Sequence, residues 1–97
     1  MLTGKQKRYL RALGSTMDPV VQIGKAGVEG PVIVSTREAI QAREFIKVRV
    51  LPNCMEEPKV AINELGKATG AEIVQVIGRN GLLFKQNEKD SKIELPM

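Results

Sequence analysis

The sequence has no histidine and no tryptophan, a single cysteine, and three aromatic rings, Tyr9, Phe45 and Phe84. Each shortage removes a class of chemistry. Without histidine, and with Cys54 as the lone thiol, ordinary zinc sites and Ser-His or Cys-His catalysis have no residues to draw on. One cysteine cannot close an internal disulfide, and nothing else suggests export. No apolar run approaches the ~18 residues needed to cross a bilayer. The opening Met1-Leu2-Thr3-Gly4-Lys5 lacks the apolar stretch of a signal peptide. A cytoplasmic protein is expected, with no cofactor, no metal, no membrane contact and no small-molecule substrate.

What is present is positive charge, unevenly placed. Ninety-seven residues make one domain, 1–97, with a polar and charged segment from about residue 87. Fifteen Lys and Arg against eleven Asp and Glu give a net charge of +4. Residues 1–50 carry nine bases and four acids, whereas residues 51–97 carry six bases and seven acids. A basic half joined to a near-neutral half points to an anionic partner, the alternative being an ordinary solvated surface.

Residues 3–13 read as a helix. Thr3 and Gln6 have capping-box spacing, and Gly14 stands where a helix stops. Leu2, Tyr9, Leu10 and Leu13 fall on one face, while Lys5, Lys7, Arg8 and Arg11 fall on the other with no acid among them. A helix kept only for solubility gains from mixed signs, so this one is expected to face nucleic acid. The run Val20–Ile23 suits a strand, and a second helix is expected over residues 31–43 with Val32, Ile33, Thr36, Ala39 and Ile40 buried and Glu44 outward. In the strand 45–51, Ile46, Val48 and Val50 point one way and Lys47 and Arg49 the other. A third helix is expected over 57–69, ended by Gly70, and Cys54 in the loop before it reads as a half-buried spectator. The strand 72–77 is apolar on both sides and is therefore placed centrally in the sheet. Gly78-Arg79-Asn80-Gly81 makes a hairpin turn into the strand 82–85, with Asn80-Gly81 as its signal. Ile93 and Leu95 are expected to dock back. The resulting fold class is α/β (α+β), in the order α-β-α-β-α-β-β, with a four-stranded mixed sheet.

The stretch with the most specific chemistry is Gln22-Ile23-Gly24-Lys25-Ala26-Gly27-Val28. A strand, a G-x-x-G turn and a helix start bring unpaired backbone N–H groups to one exposed edge, with a lysine at the tip. That edge suits a phosphate; taken alone, it is also an ordinary tight turn.

Three segments together resemble the YhbY family of stand-alone bacterial CRM domains, named for chloroplast RNA splicing and ribosome maturation. They are the run 22–28, the strand Ile46-Lys47-Val48-Arg49-Val50, and Thr69-Gly70-Ala71-Glu72-Ile73-Val74-Gln75-Val76-Ile77-Gly78-Arg79. The opening Leu2-Thr3-Gly4-Lys5-Gln6-Lys7 is similar too, and the likeness runs to about Pro96. The resemblance implies a fold like the C-terminal domain of translation initiation factor 3. It also implies RNA binding through a basic surface that includes the G-x-x-G loop, and association with precursors of the large ribosomal subunit. Two departures stand out. Val28-Glu29 stands where relatives often place a Thr, setting an acid near the turn. Leu82-Leu83-Phe84-Lys85 stands where they often have a Tyr-Arg pair, so the hydroxyl and the guanidinium fork are lost.

The RNA-binding residues expected on these grounds are Gly24, Lys25, Ala26 and Gly27 in the turn, Lys5, Lys7, Arg8 and Arg11 in the first helix, and Lys47, Arg49 and Arg79 beyond them. Base-stacking platforms add ~1–3 kcal/mol per base, and the rings for one are missing, so folded RNA recognised by backbone and shape is favoured over a single-stranded sequence. Ribosomal RNA is the expected partner, and a monomer the expected state. Three alternatives stay open. One is an enzyme using Glu38, Glu44, Glu56 or Glu64; the others are a ribosome-associated protein-interaction module and a DNA-binding protein.

Overall fold

The computed structural model describes residues 2–87, 91 and 93–97. Its elements are α1 (Gly4–Gly14), β1 (Val21–Ile23), α2 (Gly30–Arg43), β2 (Phe45–Val50), α3 (Pro58–Thr69), β3 (Glu72–Ile77) and β4 (Asn80–Phe84). Three helices and a four-stranded mixed sheet are what the sequence pattern predicts. The strand order is β1-β2-β4-β3. β1 runs parallel to β2, and β4 lies antiparallel between β2 and β3.

Two apolar layers hold the sheet. On one face α2 and α3 cover Val21, Ile23, Ile46, Val48, Val50 and Leu83 with Ile40, Ala61, Ile62 and Leu65. On the other, Leu10 of α1 packs on Phe45, Val74, Leu82 and Phe84, and Leu2, Met17, Ile93 and Leu95 close the edges. The two buried rings, Phe45 and Phe84, meet edge to face with centroids 6.4 Å apart. Ile93 and Leu95 therefore do dock back. Among the described residues, no helix is long and apolar enough to cross a membrane.

Four expectations change. First, β3 is an edge strand rather than a central one. It is apolar on both sides because helices cover both faces there, α3 on one and α1 on the other. Second, α1 is rotated about its axis. Leu10 and Gly14 are buried, whereas Tyr9 and Leu13 are 40% and 38% exposed. Gly14 lies within the helix rather than after it, and a Cβ there would stand 2.5 Å from Leu82 Cδ1. The missing side chain brings α1 down onto the sheet along the Leu10–Gly14 line. Third, the hairpin turn is Gly78-Arg79, because Ile77 pairs with Asn80. Gly81 is a strand residue whose absent Cβ leaves room for Ile62, 2.6 Å from where it would be.

The fourth change is Glu44, which is fully buried instead of outward-facing. It is the one non-glycine residue with positive φ among those described, at 64°. Its backbone N–H donates to Ile40 O, ending α2, and its carbonyl accepts from Lys85 N at 2.9 Å. The carboxylate accepts the backbone N–H groups of Asn87 and Ile93, the latter at 3.0 Å. Buried acids persist only when hydrogen-bonded; this one ties down the C-terminal segment.

Candidate nucleic-acid interface

Pairing of β1 with β2 ends where Leu51 N donates to Ile23 O at 2.8 Å. The chain then reverses. Gly27 N donates to Gly24 O at 3.0 Å, closing a four-residue turn with Lys25 and Ala26 exposed at its tip. Gly27 needs its freedom, for its φ of +72° is costly to any residue with a Cβ. Gly24 does not share that conformation, and a Cβ there would meet only Leu51 Cδ1 at 3.8 Å, an ordinary contact. The turn leads into α2, whose N-cap Glu29 makes no side-chain hydrogen bond and whose first turn contains Pro31. Backbone N–H groups at the positive end of the helix thus have no side-chain cap beside the lysine.

Acid lies on one side of this turn. Glu56 Oε1 is 3.4 Å from where a Gly27 Cβ would be. The Glu56 carboxyl hydrogen-bonds to Glu64, and this bond, with lesser help from desolvation and the repulsion between the two, raises its pKa above the ordinary glutamate range. Spacing alone sets Glu29 near this turn, whereas Glu56 and Glu64 are eight residues apart and meet only in the fold. Only the fold brings residues on a loop and on α3 together against a glycine of the second loop.

The basic residues divide into groups. Lys5 and Arg8 are exposed on α1, and Lys7 and Arg11 are half-buried at its flank. The N-terminal end of α1 is anchored far from the turn. Leu2 N donates to the Glu72 carboxylate at 3.1 Å, and Lys5 Nζ donates to Met97 O at 3.2 Å. Glu72 lies level with Phe45, while the Lys25 turn follows the residue level with Val50. At ~3.4 Å per residue, that is about 17 Å along β2. Arg11, near the C-terminal end of α1, lines a groove of about 150 Å³ with Lys47, Gln75, Ile77 and Asn80. Lys47 does not reach outward. Its ammonium donates to Gly14 O at 3.0 Å and Met17 O at 3.1 Å, tying down the C-terminal end of α1. Arg49 is exposed. Arg79, also exposed, donates from Nη1 to Leu51 O at 3.2 Å, across the strand end that adjoins the Lys25 turn. Lys25, Arg49 and Arg79 therefore share one end of the sheet, and the α1 cations run from its middle to the other end.

The chain matches the model of the CRS1 / YhbY (CRM) domain over residues 2–85. It is 44% identical over 96 residues, 99% of this chain and 100% of the relative, to a Bacillus subtilis protein named "Probable RNA-binding protein YqeI". A Haemophilus influenzae protein named "RNA-binding protein" is 35% identical over 95 residues, 98% of this chain and 95% of its own. The solution structure of protein SAV1595 from Staphylococcus aureus is similar with a TM-score of 0.82 and 44% identity, covering 99% of this chain and 100% of that one.

Proposed function

Because the chain belongs to the CRS1 / YhbY (CRM) domain family, we propose that it is a monomeric RNA-binding protein of the cytoplasm. It recognises structured ribosomal RNA and acts in assembly of the large ribosomal subunit. The observation that carries the reading is the turn itself. Lys25 and Ala26 are exposed at a tip closed by the Gly24–Gly27 hydrogen bond, beside a helix N-terminus without a side-chain cap. A phosphate seated there meets backbone N–H groups, the positive end of α2 and a mobile ammonium. Lys5, Lys7, Arg8 and Arg11 extend the contact along α1, and Arg49 and Arg79 extend it across the sheet end.

The burial of Phe45 and Phe84 supports recognition by shape. Tyr9 alone keeps a ring at the surface, too little for a stacking platform, so contacts to phosphates and 2′-hydroxyls remain. Binding is then strongly salt-dependent. Neutralising Lys25, Lys7 and Arg11 together is expected to flatten the log–log salt slope by about two units, at ~0.7–0.9 per phosphate contact. Titration of purified large-subunit ribosomal RNA, without any protein, measures this. An unchanged slope removes these residues from the interface, and no binding to bare RNA favours a protein-interaction module.

A further inference from the structure

Register places one residue of each strand in a single line across the sheet. Gln22 pairs with Arg49, Arg49 with Asn80, and Asn80 with Ile77. Strand alternation puts all of them on the face away from α2 and α3, because Val21, Ile23, Val48, Val50, Gly81 and Val76 beside them point toward those helices. Gln22, Arg49 and Ile77 are exposed, the last by 61%, and Asn80 is half-buried. The line spans three strand spacings, about 14 Å. α1 stops short of it, since its C-terminal end is bound by Lys47, one row away on the same face. Four bases border the line or sit in it. Arg11 and Arg49 face the uncovered side, and Lys25 and Arg79 stand at the sheet end.

The opposite side of the Lys25 turn has the opposite sign. Glu56 lies against Gly27 and bonds to Glu64, with Glu29 and Glu57 nearby in the chain. Neither α1, the line nor the two turns contributes an acid; Asp18 lies in the loop from α1 to β1. α3 itself carries exposed Lys59 and Lys67. A polyanion reaching Lys25 from that side must still pass Glu56, set against Gly27, and the Glu64 carboxylate that repels it. Along the uncovered strip it passes Arg11, Arg49 and Arg79. This difference selects a direction of approach.

We propose that bound RNA lays its phosphate backbone across the strip Gln22–Arg49–Asn80–Ile77, between α1 and the Lys25 turn, and that Glu56 and Glu64 bar it from the α3 side. The proposal rests on the RNA-binding reading above and adds the route. An apolar Ile77 at one end and two amides in the line suit sugar and 2′-hydroxyl contacts rather than a protein surface.

The test is a titration of the full chain with a fluorescein-labelled RNA hairpin, its stem about 16 base pairs, between about 50 and 200 mM KCl. Arg49→Ala is expected to weaken binding three- to tenfold at the low-salt end (about one contact) and to flatten the slope by ~0.7–0.9. Gln22→Lys is expected to tighten binding by a similar factor and steepen the slope, a gain that misfolding cannot produce. Glu56→Gln with Glu64→Gln is expected to tighten it a few-fold. Arg49→Ala and Gln22→Lys both at wild-type affinity, with Lys25→Ala weakened, would overturn the route and leave RNA binding standing. A wild-type chain that binds no hairpin even at the low-salt end would overturn both readings.

Discussion

Lys47 and Arg49 leave β2 on the same side, two residues apart, into different surroundings. Around Lys47 the sheet is roofed by α1; around Arg49 it is bare. The roofed half is held by Leu10 on Leu82 and by an ammonium tied to two carbonyls. Among the described residues, the bare half has no helix above it, and its guanidinium is exposed. A cation under a helix end satisfies orphan carbonyls, whereas one on open sheet remains available to a ligand. Two cations on one strand face thus separate, by what lies above them, into one that the fold ties down and one that it leaves exposed.

Substitutions can sharpen or break that contrast. The largest expected effect is in the roofed half. Leu82→Ala removes a side chain that is 4% exposed, at a cost of about 2–5 kcal/mol in urea unfolding. Ile77→Ser, in the bare half, should stay within about 0.5 kcal/mol. Similar losses at both sites would end the distinction. Next is Gly14→Ala, whose new methyl overlaps Leu82 and should cost about 1–3 kcal/mol. Combined with Leu82→Ala it should cost less than the sum, because the methyl enters the space that Leu82 leaves. Third, Lys47→Met should lower stability by about 1 kcal/mol, a discounted value for charged hydrogen bonds made by a half-buried side chain. Arg49→Met should leave stability within about 0.5 kcal/mol and weaken RNA binding instead. The reverse assignment would break the comparison outright.

The smallest effect concerns Glu56 and Glu64. The folded state raises the Glu56 pKa chiefly through its hydrogen bond to Glu64. The stabilising contribution of that shared proton is complete below the ordinary glutamate pKa and is lost as pH rises through the elevated value. Glu64→Gln removes the repulsion left at neutral pH. Its melting temperature should therefore exceed that of the wild type at pH 7, and the advantage should vanish near pH 4.

Local patterns were legible in the sequence. The Thr3–Gln6 capping box forms in both directions, Gly70 closes α3, and the alternation in β2 buries Ile46, Val48 and Val50 completely. Cys54 is a half-buried free thiol packed on the core, as read. What failed required knowing neighbours. Two apolar sides on β3 are equally consistent with two flanking strands or with a helix on each face, and periodicity cannot separate them. The rotation of α1 depends on Gly14 meeting Leu82, sixty-eight residues later. Asn80-Gly81 carried a turn signal, yet Gly81 answers to Ile62 in α3. In the candidate interface, Lys25 at an exposed turn could be seen from spacing, and the α1 cations from the helical wheel. The Glu56–Glu64 pair and the line through Gln22, Arg49 and Asn80 depend on loop placement and strand register, which no single segment encodes.

The family match ends at residue 85, but the carboxylate that fastens what comes after lies at residue 44, well inside the match. A chain truncated just past Phe84 would keep every helix and strand yet take two amide donors away from an acid with no exposed surface. Such a truncation should let water in at the start of β2, so Asn87 and Ile93 act as the cover of a carboxylate that, among the described residues, is the one fully buried acid.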